Sequence, residues 1–174
     1  MERAVAITGI GLVTPLGLDA ATTWAALLAG TRGVGPISRF DATAFRSRIA
    51  AEVKGFDPLR WVDPKKVRET DRFTQFALAA AQMAWADAGL GDHPVGDRGG
   101  AIVGSGMGGL ETIERYHDVL REKGPGRISP YFVPASIANL ASRPASASAW
   151  AIARWAPSPW GEGCVRWYAS SVAP

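Results

Sequence analysis

A thiol attacks only as the thiolate, and forming one takes a neighbouring base or a positive field. The chain has a single cysteine, Cys164, in Gly161-Glu162-Gly163-Cys164-Val165-Arg166-Trp167. Its two histidines, His93 and His117, both precede it. Pro157 and Pro159 come shortly before, and no apolar run leads in. Cys164 is therefore not expected to be a working nucleophile. His117 lies among Glu114, Arg115 and Asp118 and reads as a solvated or salt-bridged side chain. His93, in the Gly91–Gly99 loop, reads the same way. No Cys/His/Asp cluster has metal-ligand spacing, so neither a metal nor a cofactor is expected.

Gly104-Ser105-Gly106-Met107-Gly108-Gly109 fits G-x-G-x-x-G between a strand and a helix, the setting of a dinucleotide site. Glu111 argues against one, because it puts negative charge in the helical turn where a pyrophosphate would sit. Such a site also needs an acidic strand end about 20 residues on, and none can be placed. The other reading is that the glycines allow close backbone packing and bury Met107. Lys65, Lys66, Arg68 and Arg72 collect at a helix start. They read as a solvated face or as a dock for an acidic partner.

The elements behind these residues alternate strand and helix, an α/β pattern. Arg3–Ile10 reads as a buried strand ending at Gly9-Ile10-Gly11. Asp19 caps a helix through Ala29 that Gly30 closes, with Trp24, Leu27 and Leu28 on one face. Ile49–Val53 reads as a strand and Lys65–Ala88 as one long helix lined by Phe73, Phe76, Ala77, Ala80, Ala84 and Ala88. Gly100–Val103 reads as a short buried strand. Leu110–Glu122 is an amphipathic helix, and a last helix begins near Pro134. A net charge of +3 without a basic run gives no support for nucleic-acid binding. No apolar run approaches the roughly 20 residues that span a bilayer. The start at Met1 does not read as a signal peptide, and the lone cysteine suits a reducing cytosol, so a cytoplasmic protein is expected.

Composition changes sharply after Ala141. Residues 142–174 hold no Leu, Lys or Asp but four of the seven tryptophans, and 27 of these 33 residues are Ala, Ser, Pro, Trp, Gly or Arg. GC-rich DNA read out of frame tends to give this set of residues. We expect two parts, a structured 1–141 and an aberrant, frameshifted 142–174 with irregular structure. A Trp-rich loop region is the alternative.

Five segments, in order and at matching spacing, resemble the β-ketoacyl-[acyl carrier protein] synthases, most like the type II elongating condensing enzymes. They are Val5–Gly17 (VAITGIGLVTPLG), Asp71–Ala80 (DRFTQFALAA), Ala86–Leu90 (ADAGL), Gly104–Leu110 (GSGMGGL) and Ser129–Pro134 (SPYFVP). The resemblance covers residues 1 to about 141 and implies the N-terminal portion of a thiolase-like layered fold, incomplete here. It implies a homodimer that extends acyl chains by decarboxylative Claisen condensation with malonyl-acyl carrier protein, as in fatty acid synthesis. Its partner is an acyl carrier protein carrying an acyl or malonyl thioester. By the same resemblance Met107 gates the acyl pocket and Phe132 walls it. Lys65, Lys66 and Arg68 fall near the carrier-protein docking face. The family's nucleophile sits in a Thr-Ala-Cys-Ser/Ala-Ser-Gly elbow, which the surroundings of Cys164 do not match, and neither histidine matches the pair that assists decarboxylation. The expectation is an inactive N-terminal fragment. The alternatives are a non-catalytic dimerising or carrier-binding module, a chain-length-factor type partner in polyketide synthesis, which would need a full C-terminal half, and a small nucleotide-binding α/β domain.

Overall fold

The structure is a computed structural model. It describes residues 5–91 and 99–138, and strand backbone at 153–154, 157–158, 161–162, 164–165 and 168–171. The first strand is split into β1 (Val5–Ala6) and β2 (Ile10–Val13), so the extended chain runs past the glycine pair rather than ending there. The reason is contact with a later helix. Gly11 lies against the backbone of α3 (Arg72–Asp87), where a Cβ would fall on the Ala80 carbonyl oxygen and 2.7 Å from the Ala84 nitrogen. The Ile10 N–H donates to Asp87 Oδ2 at 2.8 Å and ties the strand to the far end of that helix.

Helix α1 (Ala20–Leu28) forms as its caps dictate. Asp19 Oδ1 accepts from the Thr22 N–H at 2.7 Å, and Gly30 follows at φ 65°. Its apolar face is turned outward, with Trp24 62% and Leu28 71% exposed. Thr23 is the buried residue, its hydroxyl 3.0 Å from that of Thr14 in the preceding turn. Strands β3 (Gly35–Pro36) and β4 (Ile49–Ala50) pair antiparallel, so the strand expected over 49–53 is shorter.

The long helix expected from Lys65 is two helices, α2 (Pro64–Glu69) and α3, separated at Thr70, whose backbone is extended. The break arises because Asp71 is an N-cap. Along α3, Phe73, Phe76, Ala80 and Ala84 of the expected face are buried, Ala77 and Ala88 are half-buried, and Leu78 and Ala79, not expected there, are buried as well. The core is Val13, Val53, Phe76, Ala79 and Ala80, flanked by Leu18, Phe56, Trp61 and Met83. Phe56 meets Phe76 edge to face at 4.8 Å.

Strand β5 is Gly99–Gly100 only, and Ile102 is 98% exposed because no described strand lies beside residues 101–103. The buried strand expected there is thus corrected. Helices α4 (Leu110–Lys123) and α5 (Phe132–Ser136) follow. The tail, expected irregular, contributes short strands: β6 (Ala153–Arg154), β7 (Pro157–Ser158), β8 (Gly161–Glu162), β9 (Cys164–Val165) and β10 (Tyr168–Ser171). β9 pairs parallel with β1, placing Cys164 opposite Val5, and β10 pairs parallel with β2 over Ile10–Val13. The other pairs are β5 with β6 and β7 with β8, both antiparallel.

Candidate functional site

The glycine-rich loop 104–109 is fixed through hydrogen bonds donated by its main-chain N–H groups. Ser105 Oγ accepts the Gly108 N–H at 2.9 Å, and the Gly109 N–H donates to the Ser136 carbonyl at 3.0 Å. Gly108 has φ 69°, and a Cβ there would come 2.7 Å from the Ser136 oxygen, so glycine is required for both backbone and space. The loop is thereby pinned to the end of α5, whose first residue is Phe132. Phe132 is half-buried and meets Tyr116 of α4 edge to face at 5.3 Å. Met107 is 67% exposed, which overturns the reading that the glycines bury it. The two expected pocket residues thus stand on segments joined through Gly109 and Ser136.

Helix α4 begins at Leu110 after Gly109, which offers no side-chain cap. The cap comes from 41 residues away. Asp71, 7% exposed, accepts the Thr112 N–H of α4 on one carboxylate oxygen at 2.9 Å and, more weakly, the Phe73 N–H of its own helix on the other at 3.5 Å. Glu111 is held by Arg39 Nη2 at 2.7 Å. One first-turn donor is occupied and an acid stands beside it, so the glycine loop does not lead to an open anion site for a dinucleotide.

Between β3–β4, the start of α3 and the loop lies a cleft of about 510 Å³, with Arg39, Glu52, Arg72, Phe76, Gly108 and Leu110 among its walls. Arg72 donates to the Val53 carbonyl at 3.1 Å and lies 5.0 Å from the centre of the Phe76 ring, and partial burial pushes its pKa down. Buried Glu52 accepts from the Ser38 hydroxyl and from the backbone N–H groups of Ser38 and Arg39. These bonds, the Ser38 hydroxyl first, hold its carboxyl below the ordinary value. Its contribution to stability is therefore full above the unfolded value near about 4.3 and is lost as pH falls through the folded value. Thermal melts of Glu52→Gln should start lower at neutral pH and show a flatter acid limb than the native chain. Parallel acid limbs would refute the role given to Glu52.

Lys65 and Arg68 on α2 are exposed and Lys66 is half-buried. Asp63 caps this helix through the Lys65 N–H at 2.8 Å, with Pro64 in its first turn. His117 is exposed, with Nδ1 3.5 Å from Asp118 Oδ1, as its neighbours in sequence suggest. His93 lies outside the described residues, as does the side chain of Cys164. Among the described residues no group of three His, Cys, Asp or Glu could hold a metal, and no helix is long and apolar enough to cross a membrane. Sequence reasoning missed the roles of Asp71, Glu52 and Arg39. A helix opening on glycine without a capping side chain was the signal that could have pointed to Asp71.

A family sequence model described as "Beta-ketoacyl synthase, N-terminal domain" matches residues 2–149. The 3-oxoacyl-[acyl-carrier-protein] synthase 2 of Coxiella burnetii is 49% identical over 142 residues, 81% of this chain and 34% of that protein. Among solved structures, the ishigamide ketosynthase/chain length factor superposes with a TM-score of 0.70 at 33% identity, over 81% of this chain and 36% of its own. A type II polyketide ketosynthase solved with its acyl-carrier protein and a bound hexaketide superposes at 0.66 with 20% identity, over 81% of this chain and 37% of its own, which shows the shared fold. The chain spans about a third of the length of the curated relatives it matches.

Proposed function

Because the chain belongs to the β-ketoacyl synthase family, we propose that it is the N-terminal part of a synthase that elongates acyl chains by decarboxylative Claisen condensation with malonyl-acyl carrier protein, and that residues 1–174 alone do not catalyse it. The observation carrying this reading is the close match over residues 2–149 beside a Cys164 whose neighbours do not form the family's elbow. In the complete enzyme a cysteine thiolate takes the acyl group, malonyl-carrier protein loses CO2, and the resulting carbanion attacks the thioester. The part assigned to this chain is shape. Met107 and Phe132, on the joined loop and α5, would bound the acyl pocket, in a synthase working as a homodimer. Residues after about 141 would be a frameshifted tail outside that design.

The test is direct. Incubated with acyl- and malonyl-carrier protein, the chain should release CO2 no faster than buffer, and Cys164→Ala should behave identically. An acyl adduct on Cys164 by mass spectrometry would sink the reading.

A second reading is a carrier-binding module without catalysis. It is favoured by the exposed Lys65 and Arg68 on α2, which would meet an acidic carrier protein together with Lys66.

A further inference from the structure

A second cleft, of about 180 Å³, opens beside the C-terminal end of α2. Arg68, Arg72 and Arg115 line it together with Thr70, Asp71 and Glu111. The carboxylates in and beside it are engaged. Asp71 caps α3 and α4, Glu111 pairs with Arg39, and Glu69 accepts from the Tyr131 hydroxyl, which raises the pKa of that phenol. Among the described residues none of the three arginines makes an ion pair. Arg72 is committed to the Val53 carbonyl and the Phe76 ring, while Arg115 lies 4.9 Å from the centre of the Tyr116 ring. A guanidinium resting on an aromatic face keeps its N–H fork free for an oxyanion. Three guanidiniums thus face two carboxylates in the lining, and one of these, Glu111, already pairs with Arg39, so the cleft keeps an excess of positive charge for an acidic group.

We propose that this cleft extends the α2 docking face, and that an acidic side chain of the bound carrier protein enters it between Arg68 and Arg115. The proposal rests on the carrier-binding reading and adds a residue from α4, forty-seven positions further along the chain than Arg68. Charge complementarity is the argument for an acidic protein as occupant. The cleft continues the face bearing Lys65 and Arg68, so one acidic helix can meet both.

The experiment is a titration of fluorescently labelled acyl carrier protein with the 174-residue chain, read by anisotropy at two salt concentrations. Arg115→Glu should weaken binding on the order of tenfold, as Arg68→Glu does, and reduce its salt dependence. Arg32→Glu, an equal charge change at a residue lining neither cleft, should change it less than about twofold. Should Arg115→Glu fail to fold, Arg115→Gln reads the same contact with a smaller loss, on the order of threefold. If Lys65→Glu weakens binding while both Arg115 variants bind like the native chain, the docking reading stands and the cleft proposal is overturned. If the native chain does not bind the carrier protein, both fall. If inorganic phosphate binds with the same dependence on Arg115 and the carrier protein does not displace it, the cleft is a free-anion site and the proposal is overturned.

Discussion

Asp71→Ala should lower the free energy of unfolding by about 2–4 kcal/mol, because it removes the caps of two helices at once. The two lost caps together are worth about 1 kcal/mol, since the bond to the Phe73 N–H is long at 3.5 Å, and the Thr112 N–H is left buried without an acceptor, which costs about 1–3 kcal/mol more. Thr112 is 3% exposed, so water does not replace the carboxylate without rearrangement. Asp71→Asn should cost roughly half as much, since one amide oxygen can serve only one of the two donors. Urea denaturation followed by tryptophan fluorescence gives the free energies. Amide exchange should show Phe73 and Thr112 losing protection together in the alanine variant. A loss below about 0.5 kcal/mol, the range of an ordinary surface change, would remove Asp71 from this position.

Gly11→Ala should cost about 3 kcal/mol, at the upper end of what overpacking does. The added carbon has nowhere to go. It meets the Ala80 carbonyl and the Ala84 nitrogen, both main-chain atoms of α3, and a helix backbone cannot turn aside as a side chain can. Restoring the fit requires β2 and α3 to separate, which opens the contact of Val13 with Ala79 and Ala80 at the centre of the core. Gly35→Ala is the control, since nothing lies within 4 Å of a carbon added there, and it should stay within about 0.5 kcal/mol. Equal effects of the two substitutions in a denaturant series would contradict the packing described.

The features legible in the sequence are those whose causes are local. Asp19 and Gly30 bound α1 because a cap and a stop act within three residues. The apolar spacing of α3 appears as buried Phe73, Phe76, Ala80 and Ala84. The break at Thr70 was hidden because Lys65–Glu69 and the residues from Arg72 onward are all acceptable in a helix, and only the capping role of Asp71 separates them. The outward turn of Trp24 and Leu28 was hidden because periodicity says which residues share a face, not whether another element covers it. Met107, Phe132 and the basic residues of α2 entered through family resemblance, and no local physics singles them out. The contacts around the clefts join residues far apart, Arg39 to Glu111 across 72 positions and Asp71 to Thr112 across 41. Spacing along one element is silent about such pairs.

The bond from Ile10 to Asp87 spans 77 positions and sets a timetable for the chain as it is made. A ribosome adding about 5–20 residues per second needs about 4–15 s to supply Asp87 after Ile10. During that interval β2 has no helix to lie on, while α1, whose bonds are all short-range, can already close. The nascent N-terminus therefore emerges with its apolar strand unpartnered, since a nine-residue helix standing alone is marginal in water. Slowing translation between codons 14 and 87 would lengthen that exposure without changing a single amino acid.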